Sequence, residues 1–414
     1  MRISKSLKIP ASLCIRCRGT KMLCGLSYCP ITVKNLVEPK LKQIKGNELT
    51  GSSPPSVFVG RFGYPKVRLY PSSPPVIGDT SDYEDPGRWI NIAMDEFLSK
   101  RLSLLRGGMI AEVHGASDPT RTLQDVQLMS MSREPTTVNM QFSKSLSSDR
   151  SVLDDHVTPM GPWSPLKKLE IEPGKHELVV EKVWGDTDFK AQNAMFELYK
   201  SGIKEYRISK ILSVGAIGVS KKRKMVPTRW SITATDKSLS DQVVADIKGY
   251  STVDEHLVYV RKTSGNLFMA ILSPRSWMFE WGESWFPGST WNQWGSAAQV
   301  EIDHEGYYGR KDYPGIGGCY YASRLAVAEA LATMKRQATA TLWREIYPGF
   351  NLPVGVWFVR ENMRAMFATK PYRFSSFQDA VDFLSKYTKV PVKYWLAKSG
   401  NYPFLRTGGL DDYL

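Results

Sequence analysis

Apolar positions along the 414-residue chain change period several times, and each change marks an element. Ile90, Ala93, Met94, Phe97, Leu98, Leu102 and Leu105 recur at three- and four-residue intervals, which predicts a helix with one buried face. Similar spacing predicts helices over 188–199, stopped by Gly202, and over 376–387, opened by Ser376. The longest helical pattern is the alanine-rich stretch 320–346, with a face of Ala328, Leu331, Ala338 and Leu342. Alternation of apolar and polar residues predicts strands at 126–128, 138–142 and 228–234. In the last of these Trp230, Ile232 and Ala234 point inward. Apolar runs at 257–260 and 267–272, joined across Ser264-Gly265-Asn266, predict a hairpin, and 354–359 a buried strand. Ser238 and Asp241 resemble a capping box for a short helix ending at Ile247. Residues 56–67 predict a strand interrupted by Gly60 and Gly63, with a bulge there favoured over a close backbone approach to a ligand.

These elements mix without a regular strand–helix–strand alternation. The expected fold is therefore α+β, a mixed sheet with flanking helices, carrying a small N-terminal four-cysteine zinc module and a short flexible C-terminal peptide. Composition shifts divide the chain into a basic zinc-binding module and linker (1–50), two α+β regions (51–220 and 221–400) and a tail (401–414). Residues 38–55 are polar and end in Gly-Ser-Ser-Pro-Pro, a linker by composition.

Composition narrows the class further. With 42% hydrophobic and 11% aromatic residues the chain is globular rather than disordered. A net charge of +14 points to an anionic partner, nucleic acid before an acidic membrane, although a basic chain can also serve solubility. Residues 1–50 hold ten Lys/Arg against two Glu, a net of +8, so over half of the excess sits in the first eighth of the chain. No stretch approaches the ~18 apolar residues of a membrane span, and no apolar run has signal-peptide length, which favours the cytoplasm. Walker A, Rossmann and Gly-x-Ser-x-Gly fingerprints are absent.

Four of the five cysteines, Cys14, Cys17, Cys24 and Cys29, fall within a few residues. Two thiols two residues apart, followed by two more on a tight return, suit a closed, structural zinc site, with unligated thiols or disulfides as the alternatives. Arg16, Arg18 and Lys21 offset its negative charge and are candidate nucleic-acid contacts. Lys221, Lys222, Arg223 and Lys224, with Arg229 after them, either contact phosphates or form a solvated loop. If residues 301–305 form a strand, Glu301, Asp303 and Glu305 share one face, beside Arg310 and Asp312. Such a row either holds Mg²⁺ or Mn²⁺ for phosphodiester hydrolysis, with Asp303, Glu305 and Arg310 as catalytic candidates, or pairs with local cations. Trp277, Trp281, Trp285, Trp291 and Trp294 are either base-stacking platforms or core. At the end of the chain, Leu410, Tyr413 and Leu414 place three apolar anchors on one side of a single turn, suited to a partner's pocket or else docked back on their own domain.

Several strings resemble the archaeal Nre family of DNA repair proteins. They are the cysteine segment 14–30, Phe58-Val-Gly-Arg-Phe-Gly-Tyr-Pro65, the segment 224–236 and the segment 309–329. The resemblance covers essentially the whole chain. It implies a role in DNA damage repair, a four-cysteine metal site, and binding to the sliding clamp (PCNA) through a C-terminal PIP motif. Here that motif is Thr407, Gly408, Gly409, Leu410, Asp411, Asp412, Tyr413 and Leu414. Thr407 stands where the family pattern has glutamine and cannot make the same amide contacts. The implied protein is a clamp-tethered repair factor; a metal-dependent nuclease and a non-catalytic RNA- or DNA-binding adaptor are the alternatives.

Overall fold

A computed structural model describes residues 46–406 except 148–156, 173, 293–294 and 351, together with residues 12, 13, 23, 38, 41, 42 and 44. The fold is α+β with two six-stranded mixed sheets.

The first sheet has the order β1-β5-β6-β4-β3-β2 and uses β1 (Glu48–Ser53), β2 (Ser56–Val59), β3 (Lys66–Ser73), β4 (Leu105–Glu112), β5 (Thr136–Phe142) and β6 (Trp163–Ile171). All its pairings are antiparallel except β4 with β6. Helices α1 (Pro86–Trp89) and α2 (Met94–Leu102) follow β3, and α3 (Arg121–Met131) follows β4. Helices α4 (Leu178–Gly185), α5 (Ala191–Lys200) and α6 (Glu205–Ser213) then complete this half. Its core joins Leu69, Leu105, Val126, Val138, Leu198 and Ile211.

The second sheet has the order β10-β9-β11-β8-β7-β12. Its strands are β7 (His256–Thr263), β8 (Asn266–Ser273), β9 (Met278–Trp285), β10 (Gln299–Glu305), β11 (Thr339–Ile346) and β12 (Tyr372–Phe374). The β7–β8 hairpin turns at Ser264 and Gly265, both at positive φ, as the sequence predicts. Every residue of β8 is buried because both sheet faces are covered. Phe268, Ala270 and Leu272 face the core shared with α8 (Gly318–Met334) and α9 (Trp357–Phe367). Leu267, Met269 and Ile271 face α10 (Phe377–Ser385), α11 (Val392–Lys398) and α12 (Tyr402–Arg406).

The structure corrects several expectations. Residues 126–128 lie in α3, capped by Thr120, rather than in a strand. The pattern 320–346 splits into α8 and β11 at Lys335, whose left-handed backbone (φ 52) ends the helix, with the Arg336 N–H bonding Leu331 O at 3.0 Å. The stretch 354–359 enters α9 after a turn at Gly355 (φ 93). Gly60 and Gly63 belong to the turn of the β2–β3 hairpin, not to a bulge, and the linker stretch contains β1.

The largest departure is α7 (Thr228–Ile247), one helix where a strand and a short capped helix were expected. Its buried positions, Ser231, Thr235, Asp236, Leu239, Ser240, Val243, Val244 and Ile247, follow the helical period, but the first half of that face is polar. Small hydroxyl residues let α7 approach α6 closely, and the Ser231 hydroxyl donates to Ser209 O. Leu239 reaches the first core and Val243, Val244 and Ile247 the second, so α7 bridges the two halves.

Candidate nucleic-acid interface

The outward face of α7 forms one side of an open groove. The facing wall is the loop 306–317, between β10 and α8. One part of the groove, of about 740 Å³, is lined by Arg229, Trp230, Thr233, Lys237, Lys311, Tyr313 and Tyr321. A second part, of about 260 Å³, shares Lys237 and Tyr321 and continues past Asp241 and Lys248 to Tyr308. Trp230, Tyr308 and Tyr313 are exposed. Trp230 thus sits on the solvent side rather than inward. Lys311 makes no ion pair among the described residues. Among the described residues the Lys237 ammonium pairs with Asp241 alone, at 2.6 Å, in an exposed i,i+4 pair of the kind that contributes little and is readily exchanged for another anion.

The carboxylate row on β10 shapes this wall. Asp303 accepts from Arg310 Nη1 at 3.0 Å and from the Ile316 N–H at 2.8 Å, clipping the loop at two points. Arg310 also donates to Asp312 O at 2.8 Å and lies 5.0 Å over the Tyr320 ring. Glu305 is buried beneath the groove and accepts from Arg324 Nε at 2.7 Å, Trp277 Nε1 at 3.3 Å and the Tyr320 hydroxyl at 3.2 Å. Burial and the Glu305 charge push the Tyr320 hydroxyl far above its ordinary range, so it remains a donor. Arg324 also reaches Ser240 and Asp241 at 2.8 and 2.9 Å, tying α8 to α7 under the groove floor. Glu301 is exposed, 3.6 Å from Lys398. Each carboxylate of the row therefore has its own cation, and no group of three or more His, Cys, Asp and Glu among the described residues is placed to hold a metal ion. In this geometry Asp303 and Arg310 brace the loop 306–317 and Glu305 braces the groove floor.

The remaining sequence candidates are dispersed. Lys221, Lys222 and Lys224 are exposed on the segment leading into α7, but Arg223 turns inward. Its guanidinium donates to the carbonyls of Gly218 at 2.9 Å, Trp184 at 2.7 Å and Asp186 at 3.1 Å, so it fastens the loop. Trp281 is a fully buried residue of β9, Trp277 is fully buried just before that strand, Trp285 ends it half-buried, Trp291 is exposed and Trp294 is outside the described residues. Cys14, Cys17, Cys24, Cys29, Arg16, Arg18 and Lys21 also lie outside them, as does the motif from Thr407 to Leu414. Trp230, Tyr308 and Tyr313 were not singled out as groove residues from sequence. Their polar surroundings on a turn or helix face were the available signal.

Beneath α7 its inner face joins a buried ion network. Arg360 Nη1 donates to both Asp236 oxygens at 2.8 and 2.7 Å, and its Nε lies 3.1 Å from Glu205. Arg364 reaches Glu205, Glu329 and Glu361 at 3.0, 2.7 and 2.7 Å. Two guanidinium groups thus serve four carboxyls. Glu205, despite the cost of its burial, is held at about 2 by Arg364 and Arg360. Burial pushes Asp236 up to about 7 against the pull of Arg360, and Glu205 adds to the rise. Protonating the excess acid relieves the imbalance. A narrow cavity of about 60 Å³ separates this network from a second one, in which Glu84 meets Arg101 at 2.6 Å and Lys210 at 2.8 Å.

Comparison with known proteins places the chain. A family model described as Archaeal Nre, N-terminal matches residues 23–292, and one described as Archaeal Nre, C-terminal matches residues 305–413. DNA repair protein NreB of Archaeoglobus fulgidus is 45% identical over 387 residues, covering 93% of this chain and 96% of that protein. DNA repair protein NreA of the same organism is 35% identical over 390 residues, 93% and 95% of the two chains. DNA repair protein NreA of Haloferax volcanii is 35% identical over 379 residues, 89% and 90%. No solved structure matches. With matches of this extent running through both halves, the chain belongs to the archaeal Nre family.

Proposed function

We propose that this protein is a DNA-repair factor that holds the sugar–phosphate backbone in the groove between α7 and the loop 306–317. The observation that carries this is the lining of that groove, where Arg229, Lys237, Lys248 and Lys311 line a channel with exposed rings among them. Cations along a groove neutralise phosphates and release counterions, while aromatic faces accept bases. The three named relatives are DNA repair proteins, which favours DNA over RNA as the partner.

Two further parts complete the proposal. Cys14, Cys17, Cys24 and Cys29 would hold a structural zinc, since four thiolates are the donor set of a closed site, and the surrounding cations would add backbone contacts. The terminal anchors Leu410, Tyr413 and Leu414 would seat in the sliding clamp (PCNA), raising the protein's local concentration at replicating DNA.

The test is binding of the full chain to duplex DNA, single-stranded DNA and structured RNA between about 50 and 200 mM salt, for wild type and Lys237→Ala/Lys311→Ala. Removing one phosphate-neutralising cation should lower the slope of log affinity against log salt by about 0.7 to 0.9, so the double variant should drop by roughly 1.5. An unchanged slope and affinity would remove the groove from the proposal, and preference for RNA would redirect it.

A further inference from the structure

An exposed aromatic tip stands beside the groove, and backbone binding does not use it. The turn of the β2–β3 hairpin carries Arg61, Phe62, Gly63 and Tyr64, all exposed. Phe62 leaves 72% of its surface in solvent and Tyr64 42%. Neither ring contributes to a core at that exposure, yet the turn is firmly built. The Gly60 N–H donates to Arg68 O at 2.8 Å and the Lys66 N–H to Gly63 O at 2.9 Å. Gly63 sits at φ 86, where a Cβ would come within 2.7 Å of Lys66 O, so only glycine fits without strain.

The tip is also fixed to the groove. The Val59 N–H donates to Thr228 Oγ1 at 2.8 Å, fastening the end of β2 to the first residue of α7. The Tyr64 ring packs on Trp230, itself a groove residue, at 5.4 Å between centroids. Arg61 lies 5.3 Å over the Phe62 ring. A hydrogen-bonded turn therefore presents a largely exposed aromatic ring, with the Arg61 guanidinium over one face and the other face left for a stacking partner, beside the N-terminal end of α7.

We propose that Phe62, on the same turn as the Tyr64 that packs on Trp230, is a stacking platform for a base that has left the double helix, so that the protein prefers DNA with an unpaired nucleotide over uninterrupted duplex. This rests on the backbone binding proposed above. In uninterrupted duplex both faces of each internal base are covered, and an exposed ring has nothing to stack on. An unpaired base offers its π-face, and moving it out of the helix costs least where pairing is already lost. The neighbouring cations Arg61, Arg229 and Lys311 suit the phosphates that flank such a base. An apolar protein surface would instead desolvate them without compensation.

The experiment measures binding of the full chain to a duplex with one unpaired nucleotide and to the fully paired duplex, for wild type and Phe62→Ala. Phe62 is too exposed for its loss to unfold the protein, which a circular dichroism melt checks. Wild type should favour the interrupted duplex, and Phe62→Ala should lose between about 5- and 150-fold of that affinity while binding paired duplex as before. With 5-iodouracil at the unpaired position, irradiation should crosslink the peptide containing Phe62 and Tyr64. Equal wild-type affinity for the two duplexes, or crosslinking only elsewhere, overturns this inference and leaves backbone binding standing. Failure of wild type to bind either duplex overturns both. Self-association that depends on Phe62, with no DNA preference, would identify a second copy of the chain as the occupant and overturn the inference.

Discussion

Asp236→Asn should flatten the fall in stability that the wild type shows as pH rises toward neutrality. Asp236 is 1% exposed, and its carboxyl shares two guanidinium groups with Glu205, Glu329 and Glu361. Burial lifts it from 3.8 to about 7. Between those values the folded protein binds more protons than the unfolded chain, so stability falls as pH rises and the loss is complete above about 7. One group in that condition contributes up to about 1.4 kcal/mol per pH unit, roughly 4 kcal/mol across the window. Glu84 and Glu205, both held at about 2, act in the opposite sense. Their contribution is complete above about 4.5 and lost as pH falls toward 2, so they are silent between about pH 5 and 7. The asparagine amide would face the Arg360 donor and cost about 1–3 kcal/mol, but independently of pH. Unfolding by urea at pH 5, 6, 7 and 8 should show the wild type losing stability relative to the variant by about 1.4 kcal/mol per unit from pH 5 to 7. Parallel curves would refute the charge imbalance.

Three further outcomes are expected. Arg324→Met strands the Glu305 carboxylate, 3% exposed, beneath the groove and should destabilise by about 3–5 kcal/mol in a denaturant titration; an unchanged midpoint would refute the bracing role. Elemental analysis of the full-length protein should find one zinc per chain, lost in Cys14→Ser/Cys17→Ser, and zinc-free wild type would discard the N-terminal site. Deleting residues 410–414 should abolish capture by the sliding clamp with an unchanged melting curve; retained capture would discard the tail as tether.

How much could be read from sequence depended on which residues do the burying. The β7–β8 hairpin was legible because apolar runs flank a Ser-Gly turn, and α10 because Ser376 caps it, accepting from the Asp379 N–H at 3.1 Å. The split of residues 320–346 was not, because Ala338, Ala340 and Leu342 continue the apolar composition of α8 while the backbone has already turned at Lys335. The carboxylate row was found on the predicted strand, with its three acids on alternate positions. Its role was hidden because Arg324 and Lys398 come from α8 and α11, elements that only the fold brings to β10.

Helix α7 shows why both fold and site were misjudged at one place. Trp230, Ile232 and Ala234 alternate with polar residues and so predict a strand, because hydrophobic pattern assumes that apolar side chains face inward. Here Ser231, Thr235 and Asp236 are buried against α6 and Arg360, while Trp230 is 45% exposed. A polar inner face needs partners for each group, and the Ser209 carbonyl and the Arg360 guanidinium supply them. With those groups facing inward, Arg229, Trp230 and Lys237 are left to line the channel. The same inversion that misleads the pattern therefore produces the groove. A polar residue at helical spacing on the buried side of a helix, with a tryptophan on the other, is the signature that sequence reading should have weighed.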